Sequence, residues 1–107
     1  MNGIESIAAE RQRQIKVEGW TPEHDDEHDK GQLAEAAACY ADASADPEGS
    51  DVPFYSLTGH WPWGSEWWKP SKDRRRMLVK AGALVAAEID RLDRAEALPI
   101  ETPKERR

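Results

Sequence analysis

Residues 71–96, SKDRRRMLVKAGALVAAEIDRLDRAE, carry the strongest structural signal in the chain. Ser71 is a favoured helix-capping residue, and apolar residues then recur at the spacing of an α-helix. Gly82 lies between two alanines, which favours a tight crossing with a neighbouring helix. We therefore predict a long helix from Ser71 to about Glu96. The residues predicted to face the core from this helix are Leu78, Ala81, Val85, Ile89 and Leu92.

A first helix is predicted near the start of the chain, over residues 3–18. Asn2 is placed to cap it, and Glu5 stands three residues later as the partner in a capping box. Gly19 follows as a left-handed C-terminal cap. We expect the main role of Trp20 to be packing in the core, and contact with a ligand to be secondary. The residues predicted to face the core are Ile4, Ile7, Ala8, Arg11 and Ile15.

Two further segments of the first half predict helix. The tripeptide 21–23, Thr-Pro-Glu, combines a capping hydroxyl, a proline suited to the first helical position and an acidic residue in the first turn. The alanine-rich residues 30–45 predict a longer helix that packs closely against a neighbour. Its apolar side is marked by Leu33, Ala37 and Tyr40.

Between the helical segments, residues 46–70 read DPEGSDVPFYSLTGHWPWGSEWWKP. Their Pro and Gly content argues against a long regular element, although Val52 to Thr58 could form a short edge strand. Their Trp content argues for order, because disordered segments are poor in aromatic residues. The predicted fold is mainly α: a compact bundle of three principal helices with a long, ordered, Trp-rich loop. It forms one domain over residues 1–97, and residues 98–107 form a frayed tail.

The composition narrows the class of protein. The chain has 107 residues, 38% hydrophobic and 34% charged, which fits a single domain. Residues 1–60 hold 13 acidic and 4 basic side chains, a net charge of −9, whereas residues 61–107 have a net charge of +3. A chain with this negative charge is not expected to coat nucleic acid without regard to its sequence. The single Cys39 and the lack of a signal-peptide pattern or a long apolar run predict a cytoplasmic protein without membrane contact.

The Trp-rich loop and the start of the last helix form the leading candidate site. Indoles provide stacking surfaces for a base, and guanidinium groups bind phosphate in a bidentate manner. Cations at the N-terminal end of a helix are repelled by the positive end of the helix dipole, and a bound anion would make this arrangement favourable. The competing interpretation is that the indoles form a small core and that the arginines pair with the acidic half. The candidate ligand-binding residues are Trp61, Trp63, Trp67, Trp68, Lys69, Arg74, Arg75 and Arg76.

The acidic segment offers weaker candidates for metal chemistry. His24 and His28 are four residues apart, so a helix would place both imidazoles on one face, although the string differs from the zincin motif. No metal site is therefore assigned, and no cofactor is expected. An alternative is a magnesium-dependent nucleotide pyrophosphohydrolase, since carboxylates suit that ion, although the spacing departs from that family's motifs. Its candidate ligands are Glu23, Asp26, Glu27 and Glu88. Another alternative is an inhibitor that presents the acidic face to a host protein.

Four strings carry a resemblance to a known family. They are ERQRQIKVEGWTPEHDDEH at 10–28, GQLAEAAACYA at 31–41, WPWGSEWWKP at 61–70 and RRRMLVKAGALVAAEIDRLDR at 74–94. Together they resemble a family of small accessory proteins of phages and prophages. The resemblance implies a protein made in the host cytoplasm during infection, and it brings no activity or catalytic residues. A fainter similarity links Glu18-Gly19-Trp20 and residues 70–92 to ryanodine-receptor-type repeat domains, which implies a ligand-binding or interaction unit.

These observations favour a binding module over an enzyme. We expect it to capture a small anionic ligand, a nucleotide, between the indoles and the Arg74–Arg76 helix start. The resemblance to phage proteins, some of which sequester nucleotide signals, implies that this capture would counter a host defence. The Ala-rich helix and the crossing at Gly82 suit a homo-oligomer as well as an intrachain core.

Overall fold

A computed structural model of the chain describes residues 1–45 and 61–97. It is mainly helical, with three principal helices, as predicted. The helices are α1 (Gly3–Lys16), α2 (Pro22–Asp25), α3 (Gln32–Ser44) and α4 (Arg74–Ala97), and a 3-10 turn spans Ser65–Trp67. Residues 46–60 of the predicted ordered loop, with the possible strand at 52–58, and the tail at 98–107 lie outside the described residues. No helix in the described ranges is both long and apolar enough to cross a membrane.

The capping signals at the start of the chain are confirmed. The Asn2 side chain accepts a hydrogen bond from the Glu5 backbone N–H at 2.8 Å, and the Glu5 side chain accepts one from the Asn2 backbone N–H at 2.9 Å. Gly19 has a φ of 78°, in the left-handed region that glycine favours. This turn directs the chain back so that the Trp20 N–H donates to the Gln14 carbonyl at 3.0 Å.

The capping box yields a direct stability prediction. Replacing Asn2 by alanine removes the acceptor for an otherwise unpaired N–H in the first turn, and we expect a loss of about 1 kcal/mol in the free energy of unfolding. Urea denaturation followed by circular dichroism measures this loss. Asn2→Ser keeps an acceptor and should retain most of the stability. Equal losses in both variants would contradict a capping role.

Helix α4 is the centre of the fold, because it packs against α3 most extensively and also against α1 and α2. Five of the nine residues in the buried α3–α4 cluster are alanines, which lets the two helix backbones approach closely. The tight crossing expected at Gly82 is also confirmed: a Cβ atom at this position would lie 2.5 Å from Cδ1 of Ile7 on α1. The cluster consists of Leu33, Ala36, Ala37, Tyr40, Ala43, Met77, Ala81, Leu84 and Ala87.

The predicted core-facing stripe of α4 is mostly wrong. Of its five members only Ala81 is buried, whereas Leu78, Val85, Ile89 and Leu92 are 46–52% exposed. The core is filled instead by Met77, Leu84 and Ala87, which lie on the adjacent side of the helix. The physical reason is that α4 is apolar over two neighbouring stripes, and α3 covers the one that allows closer packing.

The predicted stripe of α1 is correct in part, because Arg11 is buried and Ile7 and Ile15 are half-buried, whereas Ile4 and Ala8 are exposed. Ile4 is 78% exposed, and the buried residues are polar: Ser6, Glu10, Arg11 and Gln14. Ser6 and Glu10 are buried against Arg75 and Arg76 at the basic start of α4, whereas Arg11 is buried against Asp25. This polar contact determines where the arginines of the candidate site lie.

Candidate ligand-binding site

The structure brings the acidic segment and the Trp-rich segment together around one cleft. The cleft has a volume of about 190 Å³. It is lined by Trp20, by residues of the α2 region, by Trp63 and Trp67 of the 61–70 segment and by Leu33 of α3. We call it the His–Trp cleft. Its lining residues are Trp20, His24, Asp25, His28, Leu33, Trp63 and Trp67.

Aromatic rings contact one another along the wall of the His–Trp cleft. The His28 ring lies 5.2 Å from the Trp63 ring and 5.1 Å from the His24 ring, centroid to centroid. The Trp20 ring lies 6.4 Å from the Trp63 ring, centroid to centroid. Trp67 is 46% exposed, so an indole surface remains open to a ligand.

Two of the predicted ligand-binding indoles serve a different purpose. Trp68 stacks on the core residue Tyr40 at 4.7 Å between ring centroids, and Trp61 meets both rings edge to face. The Tyr40 hydroxyl accepts a hydrogen bond from the Lys69 backbone N–H at 3.1 Å. Trp61 and Trp68 therefore attach the 61–70 segment to the core, as the alternative interpretation of the Trp cluster stated. Trp63 and Trp67 line the cleft.

The three consecutive arginines do not line the His–Trp cleft. The Arg74 guanidinium donates to the Ser44 carbonyl at the end of α3, at 2.9 Å. Arg75 donates to Oγ of Ser6 at 2.7 Å, and Arg76 pairs with Glu10 at 2.8 Å. Because successive helical residues point about 100° apart, each guanidinium reaches a different part of the neighbouring helices. The structure thus separates these arginines from the indoles with which the sequence grouped them.

The start of α4 also differs from its prediction. The helix begins at Arg74 rather than Ser71, and the Asp73 carboxylate accepts the Arg75 backbone N–H at 3.0 Å. Asp73 is therefore the capping residue, while Ser71 Oγ accepts the Asp73 N–H at 3.0 Å. The carboxylate already supplies negative charge at this helix end, which weakens the case for a bound anion there. Lys69 lies near the cleft's outer indole, with Nζ 5.8 Å from the Trp67 ring centroid.

A buried ion pair supports the floor of the cleft. Asp25 is 1% exposed and pairs with Arg11 of α1, whose guanidinium also donates to the Trp20 carbonyl at 3.2 Å. Burial raises the pKa of the Asp25 carboxyl, while Arg11 opposes this rise. For His28, burial and the neighbouring His24 lower the pKa, which favours a neutral imidazole near pH 7.

The carboxylates of the predicted pyrophosphohydrolase do not converge. Asp26 pairs with Arg94 at 2.7 Å, and Glu88 pairs with Arg91 at 2.8 Å. Within the described ranges, no three His, Cys, Asp or Glu side chains are grouped closely enough to hold a metal ion. His24 and His28 do lie together, but as two ligands only. Glu23 and Glu27 are exposed, as an acidic face that binds a host protein would require, and that alternative stays a prediction.

Comparison with protein-family models, with curated proteins and with solved structures finds no match to this chain. The resemblance to phage accessory proteins therefore stays a prediction.

The sequence analysis does not assign three of the cleft residues to a ligand site: Trp20, Asp25 and Leu33. Trp20 does pack against the core as predicted, and it lines the cleft as well. Asp25 differs from the other acidic residues of its segment in pairing with Arg11, and this pairing forms only in the folded protein, so the sequence does not indicate it.

Proposed function

We propose that the protein is a non-enzymatic binding module that captures a small heteroaromatic ligand, a nucleobase or nucleotide, in the His–Trp cleft. The observation that carries this proposal is the convergence of three indoles and two imidazoles around one open cleft. Every nucleobase has a π-face that can stack on an indole. The half-exposed Trp67 provides such a surface.

The size of the cleft favours one ring system. Its volume of about 190 Å³ is below the roughly 300–1,000 Å³ typical of pockets for drug-sized ligands. A base therefore suits the interior, and a sugar or phosphate would extend outside. The imidazoles of His24 and His28 can donate and accept hydrogen bonds at the edge of the base.

The charges around the cleft favour recognition through the base rather than through phosphate. Arg74, Arg75 and Arg76 are engaged with α1 and α3, and the segment around His24 is strongly acidic. This revises the predicted site while retaining nucleotide capture as the role. In a phage protein, such capture would remove a nucleotide signal that the host uses for defence.

Replacing Trp67 by alanine tests the proposal. Loss of one stacked base contact is worth about 1–3 kcal/mol, so we expect the dissociation constant to rise by roughly 5- to 150-fold. Isothermal titration of a panel of nucleobases, nucleosides and nucleotides measures this change. Ile4→Ala is the control, because Ile4 is 78% exposed and does not line the cleft. The proposal fails if no member of the panel binds, or if Trp67→Ala binds as tightly as the unchanged protein.

A further inference from the structure

One face of α4 carries a row of large apolar side chains that no other described element covers. Leu78, Val85, Ile89 and Leu92 are 46–52% exposed. Leu78 and Leu92 are 14 positions apart, which corresponds to about 21 Å along the helix axis. Apolar rows of this length mark interaction sites more often than scattered exposed residues do.

A groove runs beside this row, between α3 and α4. It has a volume of about 480 Å³ and is bordered on the α3 side by Ala34, Ala38 and Ala41. Glu88 is the one charged side chain among its lining residues, and it is already paired with Arg91. The same face therefore holds a ridge of large side chains and a groove of small ones, so that it is complementary in shape to itself.

We propose that this face binds a second copy of the chain, with the two α4 helices antiparallel about a two-fold axis at Val85. Val85 is the midpoint between Leu78 and Leu92, so the axis places Leu78 against Leu92 of the partner subunit. It also places the small Ala81 opposite Ile89 of the partner subunit. A two-fold interface uses the same patch on both copies, which such a symmetric pattern satisfies.

The charges on α4 support the antiparallel direction. Arg74 lies at the start of this face and the exposed Glu96 near its end, whereas Arg91 and Arg94 are paired with Glu88 and Asp26. About the axis at Val85, Arg74 falls opposite Glu96 of the partner subunit. A guanidinium has five N–H donors, so Arg74 can bind the Ser44 carbonyl and a carboxylate at once. A parallel arrangement would instead bring the basic ends together.

Sedimentation equilibrium tests whether the chain dimerises through this face. We expect twice the 12.1 kDa chain mass at micromolar concentrations, and Val85→Glu should raise the dissociation constant at least about 100-fold, because it places two carboxylates at the axis. Val17→Glu is the matched control, since Val17 is 70% exposed outside this face. A monomer at all concentrations up to about 1 mM, or a dimer unchanged by Val85→Glu, overturns the proposal.

Charge exchange tests the antiparallel register separately. Arg74→Glu should weaken the dimer about 10-fold, and adding Glu96→Arg should restore it. Circular dichroism establishes that each variant is folded, and Leu92→Glu replaces Val85→Glu if that variant is not. Failure of the double exchange to recover any affinity overturns the antiparallel pairing. Ligand binding at the His–Trp cleft is measured independently, because the two sites share no lining residue.

Discussion

Replacing Arg11 by methionine is expected to lower the free energy of unfolding by about 3–5 kcal/mol at pH 7. The substitution leaves the Asp25 carboxylate, which is 1% exposed, without the cation that pairs with it. An uncompensated buried charge is among the most destabilising changes that a single substitution can make. The same guanidinium binds the Trp20 carbonyl, so the cleft should lose its shape as well.

The loss should depend on pH in a defined direction. Burial raises the pKa of Asp25 in the folded protein above its value in the unfolded chain, and removing Arg11 raises it further. Folding then takes up a proton, so stability is greatest at acid pH and falls as pH rises through the folded pKa. The difference between Arg11→Met and the unchanged protein should therefore shrink between pH 7 and about pH 4.

Urea denaturation at both pH values measures these effects. The matched control is Asp26→Ala, which removes the more exposed pair with Arg94 and should cost at most about 1 kcal/mol. Combining Arg11→Met with Asp25→Leu replaces the ion pair by apolar contacts, and should recover much of the loss. If Arg11→Met and Asp26→Ala lower the free energy of unfolding equally, the buried Arg11–Asp25 pair does not stabilise the fold more than an exposed pair does.

Replacing Leu84 by alanine is expected to cost about 2–5 kcal/mol, whereas the same change at Leu78 should cost less than about 1 kcal/mol in the monomer. Leu84 is 1% exposed in the α3–α4 core, so truncation leaves a cavity among packed neighbours. Leu78 is 50% exposed, and water can occupy the space that its truncation opens.

This pair of variants tests which side of α4 faces α3, because both replace leucine by alanine in the same helix. Denaturation should be followed at a protein concentration low enough that dimerisation contributes nothing. Similar losses at the two positions, or a greater loss at Leu78, would contradict the orientation of α4. Nuclear magnetic resonance spectra of both variants show whether the rest of the fold is retained.

Local signals in the sequence were reliable where the structure depends on neighbouring residues. The capping box of Asn2 and Glu5, the left-handed Gly19 and the Thr21 cap all form as predicted, since each involves residues within a few positions of one another. The start of α4 was misplaced by three residues because Ser71 and Asp73 are both good caps. Such boundaries depend on the packing around them.

The candidate site was recognised in parts. The sequence predicts one candidate group with Trp63 and Trp67 and another with His24 and His28, because about forty residues of chain separate the histidines from the indoles. The fold brings these groups together around one cleft. It also directs Arg74, Arg75 and Arg76 to α1 and α3, and the pair of Arg76 with Glu10 agrees with the competing interpretation that the arginines pair with the acidic half.

Helix periodicity and capping are short-range properties, so the sequence predicts the three principal helices and the caps of the first of them. It could not determine which side of α4 is buried. The row through Met77, Leu84 and Arg91 and the row through Leu78, Val85 and Leu92 have the same seven-residue spacing, and they differ only by a rotation of about 100°. The tertiary structure decided between them, because the first row allows the alanines of α3 and α4 to pack closely. That choice leaves the second row exposed as the proposed dimer face.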